Sequence, residues 1–429
     1  MSAQAVPRFA MKAFARRGDT LARLMITPSG SSDPYPLIED LRARGRLTMS
    51  SIAWASADHE LCRTILRDNR WGVHAIESFE IPHPLRRFAQ RTPLPPNPVE
   101  PPSMLVIDPP DHTRMRRPVA AAFTPRAIAR LRERVASVTE ELLAELPAGG
   151  SADLVTAYAS QVPIAIISEI LGFPRSSLPL FLEWGDAMSP LLDMGLPWRT
   201  YRHAMKSMRV MDGYLDDHIA RLRREPGEDI LSSLVRAGEL DDRELKATAS
   251  LLMGAGFETT VNLISNGVVQ LLAHPAQLAR LREEPELWPN AVEEILRIDA
   301  PVQTTARVAL SDGVELEGIS FRKGHTVVLS LAGANRDPKM FEDPTRFDVA
   351  RPNAKDHLTF SSGIHVCLGA SLARMEGVYA LRSLFDRFPN LQRAGRPERR
   401  PLFTLHGYSR LPVLLGERAT QPAEGLGVS

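Results

Sequence analysis

Two places along this 429-residue chain combine residue types that can carry chemistry. One is Cys367, set in Phe360-Ser-Ser-Gly363-Ile-His365-Val-Cys367-Leu-Gly369. A lone cysteine is ordinarily a small buried hydrophobe, and Cys62, in Glu60-Leu-Cys-Arg-Thr-Ile-Leu, reads that way. Cys367 differs. Gly363 before it suits a tight turn, Gly369 after it suits close backbone approach, and Ala370 to Ala380 reads as a helix. A thiolate at a helix N-terminus meets backbone N–H groups and the positive end of the dipole, which lowers its pKa and keeps it ionised. That is the state an anionic axial ligand requires.

The other is Gly254-Ala255-Gly256-Phe257-Glu258-Thr259-Thr260. It sits inside some thirty residues that read as one helix, about 45 Å long, from a capping-box pair Asp241 and Glu244 to the break at His274-Pro275. Each glycine there costs about 1 kcal/mol against alanine, and a carboxylate in apolar surroundings costs more unless paired or protonated. Such costs point to function. A glycine pair lets a flat ligand or an oxygen molecule approach the backbone, and a threonine hydroxyl bonding back to a carbonyl loosens the turn.

The elements that must position these residues are mainly helical. Apolar residues recur at three- and four-residue spacing near 36–44, 58–67, 112–122, 126–145, 152–171, 200–224 and 242–273. Short strand-like pieces at Leu47 to Ala55, Val314 to Ser330 and Gly407 to Leu415 predict small β-sheets beside the helices. Proline crowding predicts loops over Pro82 to Pro110 and Leu178 to Pro197. No repeat or linker divides the chain, so one domain over 1–429 is expected. Its core spans about 33–415, with a docking helix or arm over 1–25 and a loose tail from Glu417. The formal charge of +1 leaves no global field for nucleic acid. Two cysteines make neither a disulfide framework nor a zinc site, and no apolar run is long enough for a transmembrane segment. A cytoplasmic protein is expected, although Lys12, Arg16, Arg17 and Arg23 interleaved with apolar residues also suit a membrane surface.

The frame around Cys367 resembles the haem-binding loop of the cytochrome P450 family, matching at Phe360, Gly363, His365, Cys367 and Gly369, with Ser361 where many relatives carry glycine. Leu372-Ala373-Arg374 resembles the soluble bacterial, actinobacterial branch. The Gly254–Thr260 run resembles the family's oxygen-binding groove, with Ala255 and Gly256 against the haem and Glu258-Thr259 as the acid–alcohol pair. The likeness extends from about Asp33 to Val413 and implies a mostly helical triangular prism around haem b, with iron held by the Cys367 thiolate.

The resemblance further implies that His112, Arg116, Arg307 and His365 neutralise the haem propionates, a task suited to guanidinium groups. His112 and Arg116, four apart, share a helix face. Glu294 and Arg297 become a buried structural pair joined by Arg351, or alternatively Arg346. Glu258 would relay protons and Thr259 would assist oxygen activation. The implied activity is a monooxygenase acting on dioxygen and an apolar lipid, sterol, terpenoid or polyketide. Electrons would come from a ferredoxin with its NAD(P)H-dependent reductase, and azole inhibitors are expected to ligate the iron. Arg114, Arg117, Arg126, Arg130 and Arg374 would form a basic face for an acidic donor. Pocket walls are expected from 82–110, 178–197, the central helix, Val302 to Ala306 and a turn near Leu405. A peroxide-driven peroxygenase and a haem-based sensor are the competing readings; the intact Glu258-Thr259 pair argues against the first.

Overall fold

The computed structural model describes residues 10–26, 33–73, 98–123, 125–193 and 196–419. Its helices follow the apolar periodicity closely. They are α1 (Thr20–Ile26), α2 (Tyr35–Ala43), α3 (His59–Arg67), α4 (Asp111–Ala122), α5 (Pro125–Glu145), α6 (Gln161–Ile170), α7 (Leu178–Met188), α8 (Trp198–Arg224), α9 (Ile230–Ala237), α10 (Asp242–Ala273), α11 (Pro275–Glu283), α12 (Trp288–Ile298) and α13 (Ala370–Arg387). A further helical turn covers 10–16 and ends at Gly18, whose φ is +87°. Asp19 then caps α1 by accepting from Ala22 N at 2.8 Å. Met11, Leu21 and Leu24 are buried, so this N-terminal arm docks on the protein.

Two expectations are corrected. Leu178 to Pro197 is not a plain loop, because α7 occupies its first half. Pro179 falls in the first turn of that helix, where a missing N–H costs nothing, and Phe181, Trp184, Gly185 and Met188 bury one face. The expected helix over 152–171 is broken: Ser151–Asp153 form a strand, and Val155–Ala159 form a wider π-turn closed by Ser160 N to Val155 O at 2.9 Å. Pro163 has no N–H to offer the preceding carbonyls, which favours that wider bonding. Of the predicted 82–110 loop, 82–97 lies outside the described residues, and 98–110 holds neither helix nor strand.

The sheets are small, as expected. The largest runs β1 (Thr48–Met49), β2 (Trp54–Ser56), β8 (Thr326–Ser330), β5 (Thr304–Ala309), β3 (Trp71–Gly72), with only β2 and β8 parallel. Its register sets Arg307 opposite Val327. A three-stranded sheet joins β4 (Ser151–Asp153), β12 (Pro412–Leu414) and β9 (Gln392–Arg393). Two-stranded pairs join β6 (Val314–Leu316) with β7 (Ile319–Phe321), and β10 (Glu398–Arg399) with β11 (Tyr408–Arg410). One apolar core, from Met104 to Leu415, unites α4 through α13; a smaller one lies under the large sheet.

α10 runs through the middle of the helical core. It starts with the capping box read from the sequence, Asp241 Oδ1 accepting from Glu244 N at 2.8 Å and Asp241 N donating to Glu244 Oε2 at 3.1 Å. Beyond Leu245 it is buried on most sides. No helix of the described residues is long and apolar enough to cross a membrane.

Candidate active site

The thiol-bearing loop is held by its backbone. Cys367 N donates to Phe360 O at 2.8 Å, closing a turn through Gly363, whose φ is +71°. A Cβ there would collide with the carbonyl of Leu66 on α3, so glycine is required on two counts. Ser361 also lies in the left-handed region, at φ +62°, a conformation that glycine adopts without steric cost. Gly369 has an ordinary φ of −85°, and a Cβ on it would meet no protein atom within 4 Å. Its expected close approach is therefore not to protein; its N–H instead supports the Cys367 sulfur.

Protein crowds Cys367 on all sides but one. Burial pushes its thiol pKa up, against the lowering influence of Gly369 N–H, Arg116 and Arg374. The sequence reading expected the helix end to prevail. The start of α13 lies three residues on, and desolvation outweighs it; a metal ion held by the sulfur would deprotonate it outright. Cys62, by contrast, is fully buried and pushed up to about 12 by that burial, as expected of a packing residue.

Beside the loop the structure gathers His112, Arg116, Arg307 and His365 from α4, β5 and the loop itself. The two imidazoles lie 4.2 Å apart between centroids. Neither ring nitrogen of His112, nor Nε2 of His365, has a hydrogen-bond partner among the described residues. Burial, then His112, Arg307 and Arg116, push the pKa of His365 down to about 3; burial and Arg116 lower that of His112. Arg307 is 4% exposed, donates to Thr305 Oγ1 and Ala306 O among the described residues, and is pushed down to about 10 by burial. Arg116 donates to Val366 O at 2.6 Å. Among the described residues Asp108 is the acid acting on His112 and Arg307, and it accepts from the N–H of Val73. Two guanidinium groups and two imidazoles so desolvated, with no bonded carboxylate among the described residues, fit a ligand that brings carboxylates of its own. Haem, with two propionates, fits that description.

In α10, Ala255 is exposed although the helix around it is sheathed in protein. Gly256 faces Ile167 of α6, where a Cβ would stand 3.3 Å from the end of that side chain, so a larger residue would press on the helix packing. Thr259 Oγ1 donates to Ala255 O at 2.7 Å and Thr260 Oγ1 to Gly256 O at 3.1 Å, the predicted back-bonding. Glu258 is 2% exposed and lies 2.6 Å from Arg400 Nε. Burial raises its pKa to about 7, Arg400 opposing and Asp186 assisting.

Sequence reasoning missed Arg400, which also reaches Asp186 Oδ1 on α7 at 2.8 Å. No local motif marks it, because its partners are 142 and 214 positions away. It missed Glu376 as well, a buried acid on α13 raised to about 8 by desolvation and hydrogen-bonded to Thr260.

Glu294 and Arg297 are wholly buried and bonded at 2.6 and 2.8 Å. Arg351 is the third member, Nε to Glu294 Oε1 at 3.1 Å, whereas Arg346 turns outward to Asp348. Phe360 stacks under Arg374, 4.5 Å from its centroid. The expected basic face is partly neutralised: Arg114 pairs with Glu244, Arg117 with Glu239 and Arg374 with Glu293. The side chains of Arg126 and Arg130 lie outside the described residues. Val302 and Leu405 meet in a β-bridge, and Asp193 accepts from Phe403 N and Thr404 N, so three of the expected wall segments adjoin.

A family model described as Cytochrome P450 matches residues 179–401. Over 94% of this chain and 93% of the relative, the sequence is 47% identical to a protein named cytochrome P450 140 in Mycobacterium tuberculosis. It is 43% identical to the 6-deoxyerythronolide B hydroxylase of Saccharopolyspora erythraea, over 73% of this chain and 78% of that one. The econazole-bound structure of Mycobacterium smegmatis CYP164A2 superposes with a TM-score of 0.82 at 33% identity, covering 92% of this chain and 99% of the other.

Proposed function

This chain belongs to the cytochrome P450 family and is a haem-thiolate monooxygenase, and we propose that Cys367 is its axial ligand within one catalytic domain. His112, Arg116, Arg307 and His365 would hold the propionates, while Phe360, Gly363 and Gly369 shape the loop and Ala255 and Gly256 line the other side. Haem bound there supplies reductive activation of dioxygen at its iron, and thiolate donation favours O–O cleavage.

The protein's own part is proton supply and exclusion of water. Glu258, half-protonated near neutrality, is an acid matched to its task. Glu258 and Thr259 are consecutive on α10, the acid turned toward Arg400 and the hydroxyl bonded to Ala255 O, and the pair is proposed to serve proton delivery from two neighbouring faces of the helix. Arg400 holds the Glu258 carboxyl in place. An apolar substrate accords with the apolar residues of the wall segments and with the macrolide-type and lipid-type names among the relatives. A ferredoxin with an NAD(P)H-dependent reductase is proposed as the electron source, although the ion pairing of Arg114, Arg117 and Arg374 leaves fewer free cations for it than the sequence suggested. Azole ligation is supported by the econazole-bound neighbour, and a cytoplasmic setting by the family's soluble bacterial relatives.

The observation that carries this reading is the set of desolvated imidazoles and guanidinium groups beside the Cys367 loop, with no bonded carboxylate among the described residues. The reduced, carbon monoxide-bound spectrum of the haem-loaded chain tests it. A red-shifted thiolate band that disappears in Cys367→Ala is expected; its absence from freshly prepared, folded wild-type protein overturns the assignment.

A further inference from the structure

We propose that the outward face of α8 is a docking surface for anionic lipid, which seats the enzyme peripherally on a membrane. From Leu196 to Met211 the chain holds no acidic residue, yet it carries Arg199, Arg202, His203, Lys206 and Arg209. All five are exposed, and Val210 beside them is 54% exposed. The opposite side of the helix, Ala204, Met205, Met208, Met211 and Leu215, is buried in the core. At 100° per residue the exposed set falls within an arc of about 120°, and Arg199 to Arg209 spans about 15 Å. A flat surface can touch all of them at once.

Local stability does not explain this arrangement. Cations in the first turns of a helix oppose its dipole, and the end of the same helix shows the favourable placement. There Arg221 donates to Gly172 O and Arg223 pairs with Asp242. Among the described residues, none of Arg199, Arg202, Lys206 and Arg209 is ion-paired; the acids of α8 that do pair, Asp212 and Asp216, are both taken by Lys246. Glu100 is the acid that bears on this end, through Tyr201. Arg199 set against the dipole in the first turn, with three further cations left without an ion pair among the described residues, is the kind of local conflict that function explains.

Lipid is favoured over an acidic protein because headgroups diffuse to each cation, whereas a protein surface must match their spacing. Since the apolar face of α8 is committed to the core, contact is electrostatic, with Trp198, 43% exposed and stacked on Tyr201, at its edge. It must therefore weaken with salt. Lipid docking stands whether or not the apolar-substrate reading does; only its use, access to substrate dissolved in the bilayer, rests on that reading.

Co-sedimentation of the haem-loaded, full-length protein with vesicles tests the proposal. Vesicles of phosphatidylcholine with roughly a third phosphatidylglycerol should bind about a thousandfold more strongly than phosphatidylcholine alone, at about a tenfold increment for every one or two cations. The preference should vanish in about 0.5 M salt and in the quadruple variant Arg199→Glu, Arg202→Glu, Lys206→Glu, Arg209→Glu. It should survive when the three arginines become lysine. Circular dichroism and the carbon monoxide spectrum check that each variant is folded. Wild-type indifference to phosphatidylglycerol, or full binding by the glutamate variant, overturns the proposal. So does loss of binding on neutralising Lys12, Arg16 and Arg17 alone, which would assign the contact to the N-terminal arm. Binding of a soluble acidic protein such as an acyl carrier protein to this face, with no vesicle binding, would replace lipid by protein. Failure here with a normal ligand-induced spin shift for apolar compounds would leave the proposed function standing.

Discussion

Replacing Arg400 with glutamine should move the titration of Glu258 upward and carry the pH profile of turnover with it. Glu258 sits at about 7 because burial, the largest influence, raises it and Arg400 holds it down. The guanidinium lies 2.6 Å from the carboxylate, with Arg400 largely enclosed and Glu258 buried. A cation in such contact lowers a carboxyl by about one to three pKa units, so its removal should take the midpoint to roughly 8 to 10. The sign follows from the role: a proton donor must be protonated, so wild-type coupling of NAD(P)H use to product falls as pH rises through about 7. In Arg400→Gln that fall should come at higher pH, with a lower plateau because a weaker acid gives up its proton more slowly. Product per NAD(P)H between about pH 6 and 9, together with infrared titration of the carboxyl band missing in Glu258→Gln, measures both. Arg400→Lys should restore part of the wild-type midpoint, which mere misfolding of the pocket would not. Asp186→Asn should change little, since Asp186 is 62% exposed and well screened. An unmoved or lowered midpoint in Arg400→Gln would refute the assignment of Arg400 as the group that holds the acid.

Three further outcomes are expected. Thr259→Ala should keep haem and substrate binding but divert electrons to hydrogen peroxide; unchanged coupling counts against the threonine's role. Ser361→Gly should stabilise the fold by about 1 kcal/mol, the relief of a left-handed residue, read from the urea midpoint at unchanged slope, and no gain would mean that the serine side chain compensates. Glu376, raised to about 8 by burial, keeps its proton in the folded state while an unfolded glutamate loses its own near the ordinary value. Stability from this group is thus complete at low pH and lost as pH rises toward about 8. Glu376→Gln has no proton to lose, so its melting temperature should gain on wild type as pH rises from the ordinary glutamate range to 8. A gap independent of pH would sink that account.

The motifs that name the chemistry were legible in the chain because they are local. A turn that needs Gly363, a ligand at Cys367 and a helix start at Ala370 lie within a few residues of one another, and so do the acid and alcohol at Glu258 and Thr259. Periodicity located α3, α8 and α10 to within a few residues, and the capping box set the start of α10. Periodicity failed at Pro163, where a missing N–H split one apolar stretch, and at Pro179, where proline began a helix instead of preventing one. Composition around a proline does not say where in the helix it falls.

Tertiary structure decided what depends on distance through space. Arg351 rather than Arg346 completes the Glu294–Arg297 cluster because only its guanidinium reaches the buried carboxylate. Arg400 meets Glu258, and Glu376 meets Thr260, across separations that no spacing rule covers. Burial reversed the expected lowering of the Cys367 thiol, and ion pairs took up cations that the sequence left free. A sequence lists charges and their order. Which of them share a dielectric, and which find a partner, is settled only when the chain packs.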